Sequence, residues 1–488
     1  MKMAHGTETL EGVEWRIRVA DGSSEALVPD TGLARKAWLG LKGLIRRLAL
    51  KVWMFMKRAW DVGANDPRKV IHCMKVGLAL ALVSLFYFIR PLYHGVGGNA
   101  MWALMTVVLV FETTVGATVY KCINRVFATF LAGFLAVGVH WLASRSGETL
   151  EPYVVGASVF LLASAATFSR LIPSVKSLFD YGAMVFILTF SFVVVSGYRV
   201  DKLFEFAHNR ISTIIIGTSL CIIVIMLVCP IWSGQELHSL IVRNMDKLAD
   251  SLDGCLTQYF NQSGECTKLQ GYKCVLSSKA SEESMANFAR WEPSHGKFNF
   301  RHPWKQYVKI GSSMRSCAYC IEALNGCISS ENQAAKLIKK HFSKGCLKVS
   351  SCSSNALREL AETVKTMKKS STIDLLVGEM NSAVQELQND LKSPPLLPKR
   401  SPVSENKTSE AACSEATPTV PLMDIIQVVT LSSLLIEISG RIEALVDDVE
   451  ELAKRAEFGI NDDKCKQSEM AVSDEEKTEG IVKALQKV

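Results

Sequence analysis

The sequence predicts an all-α polytopic membrane protein, with six transmembrane helices per subunit followed by a helical cytosolic domain. Three observations carry this expectation. Six long apolar segments crowd between Val70 and Trp232. From Ser233 onward the chain loses that hydropathy but keeps helical periodicity. Near its end, Leu431, Leu435, Ile438, Ile442, Leu445, Val449 and Leu452 keep a strict four-three spacing.

Residues 1–69 read as a cytosolic N-terminal segment. Met1 to Pro29 is polar and mixed in charge, so no signal peptide opens the chain and the first span is expected to act as its own targeting signal. Trp38, Leu41, Ile45, Leu48, Val52 and Phe55 then recur at steps of three and four, with Arg35, Lys36, Lys42, Arg46, Arg47, Lys51, Lys57 and Arg58 between them. This is a basic amphipathic helix, suited either to an anionic lipid surface or to packing on the protein's own cytosolic helices.

Residues 70–232 hold the spans, at about Val70–Arg90, Ala100–Tyr120, Ile123–Ala143, Tyr153–Phe168, Tyr181–Tyr198 and Ile211–Trp232. Most approach the ~20 residues that cross a ~30 Å hydrocarbon core. The second and third are separated only by Lys121–Cys122, which predicts a tight hairpin there. An even number of spans puts both termini on one side, and the Lys/Arg-rich segment before the first span places that side in the cytosol. Arg199, Lys202 and Arg210 fall at the opposite end, where topology has no need of them.

Residues 233–391 form the helical cytosolic domain, and residues 392–421 are a Pro/Ser/Glu-rich linker unable to bury a core. The seam of residues 422–458 is expected to pack on the chain's own cytosolic helices rather than on a second subunit, and residues 459–488 form a loose charged tail. Among the 14 cysteines, Cys317 and Cys320 make a lone CxxC without a second pair or a His at zinc spacing, so no metal site and no cofactor is expected. GxSxG, P-loop, HExxH and dinucleotide motifs are absent, which argues against an enzyme. The net charge of +7 is spread around apolar spans, which argues against nucleic acid.

The charges inside or at the ends of the spans are mostly cationic: Lys75, Arg125, Lys176, Arg199 and Arg210, against Glu112. A cation at the bilayer centre costs roughly 2.5–3.5 kcal/mol on insertion scales, so it normally faces protein or a water-filled path. Several gathered in one bundle favour anions. Lys75 and Glu112 fall at similar depth on antiparallel spans, so they are expected to pair, either to fix the hairpin or to line the path. A proton-coupled carrier using Glu112 or His72, and a membrane scaffold, are the competing readings.

Asp66–Tyr93 and Ala100–Arg125 closely resemble the aluminium-activated malate transporter family of plants, as do Phe179–Arg199 and the cytosolic run Phe288–Gly311 around Trp291-Glu292-Pro293. The resemblance extends from about Asp66 to Phe458 and implies a dimeric, multi-pass channel for malate and other anions, set among membrane lipid. It implies pore cations at Lys75, Arg125, Lys176 and Arg210, and a Lys–Glu pair at Lys75 and Glu112. The motifs are most similar to plasma-membrane relatives. His94, Val200 and Lys202 stand where aluminium-responsive relatives tend to carry acids, and Lys176-Ser177-Leu178 stands where many have Lys-Ala-Arg.

Overall fold

Every long element is a helix. The computed structural model describes residues 16–18, 24–26, 33–88, 100–147, 149–197, 203–261, 270–299, 301–329, 336–392 and 422–460. His94, Arg199, Val200, Asp201, Lys202, residues 393–421 and residues 461–488 lie outside this set. The chain divides into two units, Met1–Cys73 and Met74–Val488.

In the first unit, strands β1 (Arg16–Arg18) and β2 (Ser24–Ala26) pair antiparallel, with Ile17 opposite Glu25. Helix α1 (Leu33–Asn65) follows. Its apolar side chains stand exposed, Phe55 at 70% and Trp60 at 77%, while Lys42 and Lys57 lie over the rings of Trp38 and Trp53. The unit boundary falls inside α2 (Pro67–Phe88).

In the second unit the apolar helices come first: the rest of α2, then α3 (Ala100–Val110), α4 (Val115–Arg145), α5 (Glu151–Ser169), α6 (Pro173–Gly197) and α7 (Leu203–Leu227). Four stretches among the described residues are long and apolar enough to cross a membrane: Val115–Arg145, Glu151–Ser169, Pro173–Ser196 and Arg210–Leu227. Small residues let their backbones approach, as membrane helices require. Ala128, Ala132 and Ala136 on α4 meet Val185, Phe186, Phe190 and Val193 on α6. A Cβ on Gly217 of α7 would lie 3.1 Å from the Ala103 carbonyl of α3. Helix α5 has no fully buried residue: Val155, Val159, Leu162 and Ala166 pack half-buried against that α4–α6 cluster, while Tyr153, Phe160, Leu161 and Phe168 stand exposed.

The structure moves the predicted Lys121–Cys122 hairpin. Helix α4 runs unbroken through both residues, and the chain turns instead at Phe111–Thr114. Thr114 is the cause: with φ −112° and ψ 153° it caps α4, its hydroxyl accepting from the Ala117 N–H. Thr118 returns to the turn, accepting from the Glu112 N–H at 3.0 Å. At 1.5 Å per residue, α4 is about 46 Å long, more than a ~30 Å hydrocarbon core requires.

The remaining helices are α8 (Ser233–Asn261), α9 (Gly271–Ser277), α10 (Lys279–Ala289), α11 (Trp304–Ile328), α12 (Lys336–Thr366), α13 (Ile373–Lys392) and α14 (Leu422–Arg455). They share one apolar core. All seven seam residues of α14 are buried in it, so this helix packs within its own chain, chiefly on α11 and α12. Asp448 pins it to α11: its carbonyl accepts from Gln306 at 2.9 Å, and its carboxylate meets Lys309 at 2.8 Å and the Ser313 hydroxyl at 2.5 Å. Beyond α14, β4 (Gly459–Ile460) pairs parallel with β3 (Lys368–Lys369). Cys317 and Cys320 lie buried on α11, where burial pushes the Cys317 thiol up to about 12.

Candidate anion path in the helix bundle

Arg125, Thr129 and Gly133 recur every four residues, so they share one face of α4. That face meets α7, where a Cβ on Gly133 would lie 3.8 Å from the Ile211 side chain. Arg210, the neighbour of Ile211, is 4% exposed and lies over the rings of Trp102 (3.7 Å) and Phe192 (4.4 Å). Arg125 is 5% exposed and reaches the Tyr181 hydroxyl at 3.4 Å. The two guanidiniums lie within electrostatic range of one another.

Part of their hydrogen-bonding capacity is unused among the described residues. Arg125 Nε, Thr129 Oγ1 and the Nε and one terminal nitrogen of Arg210 are buried without a partner among the described residues. Among the described residues, the ion pairs in this region, Lys121–Glu112 and Arg170–Asp180, involve neither arginine. Removing an ion from water costs several kcal/mol even after relaxation, so native folds normally pair such charges. Two guanidiniums without an ion-pair partner among the described residues present N–H donors of the kind that a carboxylate or other anion accepts.

Lys75 departs from expectation. The residue is 1% exposed, and its ammonium donates to the Cys229 carbonyl at 2.7 Å. Glu112 is ion-paired with Lys121, which also lies over the Tyr181 ring at 5.4 Å. The expected Lys75–Glu112 pair is therefore replaced, because the shifted hairpin turn carries Glu112 to the foot of α4. Cys229, two residues past the end of α7 and just before Pro230, has φ +42°. Lys75 thus places a cation on a helix C-terminus, where free carbonyls and the helix dipole both favour it. Lys75→Met is expected to lower stability by about 1–3 kcal/mol, read as a lower melting temperature, with anion selectivity unchanged. Altered selectivity at an unchanged melting temperature would return Lys75 to the anion path.

Lys176 is exposed near the start of α6 and is not drawn into the Arg125–Arg210 cluster. Nearby, Arg170 grips Asp180 with two bonds of 2.8 and 3.4 Å.

The Trp291-Glu292-Pro293 motif lies against the foot of α4. Glu292 is 3% exposed, and its carboxylate accepts three backbone N–H groups. Gly116 donates to Oε1 at 3.1 Å, Ser233 to Oε1 at 2.5 Å and Gly234 to Oε2 at 3.1 Å. Burial pushes this carboxyl above the usual range, partly offset by those donors. The Trp291 ring meets Tyr120 at 5.7 Å, and His295 stacks on Trp232 at 4.0 Å. Gly116 is required here, since a Cβ would come within 2.4 Å of the Phe288 carbonyl.

The profile of the family described as "Aluminium activated malate transporter" matches residues 60–418. The chain belongs to this family. It is 54% identical to aluminum-activated malate transporter 10 of Arabidopsis thaliana over 476 residues, covering 93% of this chain and 96% of that relative. Identity is 43% to aluminum-activated malate transporter 2 of Arabidopsis thaliana, over 84% of this chain and 79% of the relative. It is 38% to aluminum-activated malate transporter 1 of Triticum aestivum, over 90% and 93%. With its apolar helices, this family member is an integral membrane protein.

Sequence reasoning found Arg125 and Arg210 as intramembrane cations but missed Thr129, Trp102 and Tyr181, the polar and aromatic side chains around them. Thr129 had a visible signal, lying one turn beyond Arg125 on the same face. Trp102 and Tyr181 had none, because their contacts join different helices.

Proposed function

We propose that this family member is a malate channel: a passive path for malate and other organic and inorganic anions across a plant membrane, with Arg125 and Arg210 as its principal anion-binding side chains. The observation that carries the reading is the pair of buried guanidiniums with unused donors on the α4–α7 interface. Their charge would replace part of the hydration of a carboxylate. The relatives' names supply malate as the anion.

The full reading has six spans per subunit, with α2 and the α3 region completing the four stretches above, a cytosolic domain from α8 onward, and assembly as a homodimer in the plasma membrane. Arg199 and Lys176 would serve the two mouths. At an inside-negative membrane, outward movement of a dianion gains roughly 4.6 kcal/mol per 100 mV, twice the single-charge figure, so efflux needs no coupling ion. A proton-coupled carrier built on Glu112 has less support, since Lys121 already occupies that carboxylate. The test is voltage clamp of the expressed protein with one anion on each side, swapped in turn. A reversal potential that follows the anion gradient alone supports a channel, and one that moves with the proton gradient overturns it.

Extracellular aluminium is expected to activate this protein weakly. A trivalent hard cation wants carboxylate oxygens, and His94, Val200 and Lys202 supply none. Strong activation at micromolar aluminium would refute this and turn attention to Glu148, Glu151, Asp201 and Glu205.

A further inference from the structure

Helix α1 holds the whole charge surplus of the chain. Its 33 residues carry eight Lys and Arg against one acid, Asp61, a surplus of seven. The complete sequence, with 55 basic and 48 acidic residues, has a surplus of the same size, so everything outside α1 is formally neutral. We infer that α1 is an interfacial helix that docks on an anionic bilayer surface, its apolar stripe among the acyl chains and its cations on the lipid phosphates. The inference rests on the reading of α2 as a membrane span, which brings α1 to the bilayer because only Asp66 separates the two helices.

Leu41, Ile45, Leu48, Val52, Phe55 and Val62 follow at helical steps of four, three or seven, so they share one face of α1. All six stand more than half exposed. Arg46, Arg47, Lys57 and Arg58 lie on the opposite side. Trp53 and Trp60, seven residues apart, mark one border between the two faces. Lys42 lies over the Trp38 ring at 5.0 Å and Lys57 over the Trp53 ring at 5.8 Å. Trp at the border of an apolar and a cationic face is the arrangement of helices that lie in a membrane–water interface. The long stems of Lys and Arg reach from there to the headgroups. Among the described residues, no ion pair neutralises Lys42, Arg46, Arg47, Lys51, Lys57 or Arg58.

A second copy of α1 and the chain's own later helices are the competing occupants. Two α1 helices packed seam to seam would bring cationic flanks together, whereas coiled coils set opposite charges beside the seam. Past Ser233, the large apolar side chains left exposed among the described residues are Tyr319, Leu375, Ile426 and Val429, spread over α11, α13 and α14. Four such residues on three helices do not cover a stripe that runs about 32 Å from Leu41 to Val62. A bilayer supplies both halves of the match, hydrocarbon for the stripe and phosphate for the cations. Each cation near an anionic leaflet strengthens that partition about fivefold. The covalent link to α2 makes the docking an intramolecular event, favoured by effective concentration.

The experiment puts the photo-crosslinking side chain of p-benzoylphenylalanine in place of Phe55 in the full-length chain, held in nanodiscs of phosphatidylcholine alone or mixed with phosphatidylserine. Mass spectrometry after irradiation reads what was captured. Expected are lipid adducts in the mixed bilayer, far fewer in pure phosphatidylcholine, and few in either when the probe replaces Arg47. Arg46→Gln, Arg47→Gln, Lys57→Gln and Arg58→Gln combined should lower the lipid adduct at Phe55 about tenfold or more. The melting temperature should stay unchanged, because these four side chains are exposed. If that variant is not produced, salt decides on the native charges: the adduct should fall as ionic strength rises, and an adduct indifferent to salt overturns the inference. Capture of the chain's own later helices, or of a second copy as a cross-linked dimer, overturns it too, as do equal lipid yields in the two bilayers. The same probe in place of Leu78, exposed on α2, should capture lipid in both bilayers. Capture lost at Phe55 alone overturns the docking of α1, whereas capture lost at both positions brings down the six-span reading and this one with it.

Discussion

Arg210→Ala should abolish most anion current, about tenfold or more, while the protein still reaches the membrane. The guanidinium is buried between Trp102 and Phe192, and two of its nitrogens face no acceptor among the described residues. Cation–π contact with two rings contributes about 2 kcal/mol or more where water is excluded, which helps hold the charge in place without neutralising it. A side chain kept only for structure would be better served by leucine or methionine, because buried ion groups replaced by apolar ones are often neutral or stabilising. Arg210→Met separates the two roles: it should fold and reach the surface, yet pass little malate. Arg125→Ala should act in the same direction, and the pair should be non-additive because both charges face one interface. Normal malate current with the native anion ranking in Arg210→Met would remove this residue from the path.

The second large effect is expected at the far end of the chain. Leu435→Asp with Ile442→Asp should release α14 and lower the melting temperature by roughly 10 °C, the response of a large domain to a loss of several kcal/mol. Both side chains are fully or almost fully buried, Leu435 at 1% and Ile442 at 0% exposure. Burying seven such residues contributes about 10–20 kcal/mol before the entropy of ordering the helix is subtracted. An unpaired carboxylate in that seam opposes the whole of it. Asp448 would not compensate, since its partners Gln306, Lys309 and Ser313 all lie on α11 and hold only while the seam is closed. Differential scanning of solubilised protein and limited proteolysis would read the release, and voltage clamp its effect on current. An unchanged melting profile, or a chain ending before Leu422 that conducts and assembles normally, would show the helix to be dispensable.

What the sequence revealed here follows the range of the forces involved. Periodicity and hydropathy are local, so the apolar helices and the buried seam of α14 were legible, as were Arg125 and Arg210 as charges in apolar surroundings. The α3–α4 turn was not. Phe111–Thr114 has no Gly or Pro, and its Glu112 reads as one charge inside a long apolar run. Lys121, by contrast, ends a run already long enough to be a span and so looks like the boundary. The physical signal was Thr114, a helix cap weaker to the eye than a lysine. That one displacement also undid the Lys75–Glu112 pair, since the depth argument inherited the wrong turn. Glu292 was visible only as part of a family motif. Its partners are backbone N–H groups, which every residue but proline carries, so no side-chain pattern could have named them.

Helix α7 has a mechanical consequence. Arg210 is wedged between two rings near one end, and the Cys229 carbonyl just past the other end is hooked by Lys75. The fastenings are 19 residues apart, about 28 Å at 1.5 Å per residue. A rod clamped at two such points resists motion along its own axis, because either direction drags one clamp out of its seat. Any opening of the proposed path would then come from neighbours swinging or rolling against it. On the transport reading proposed above, α7 is the fixed post, and α4, with its foot among the helices after Ser233, is the leaf.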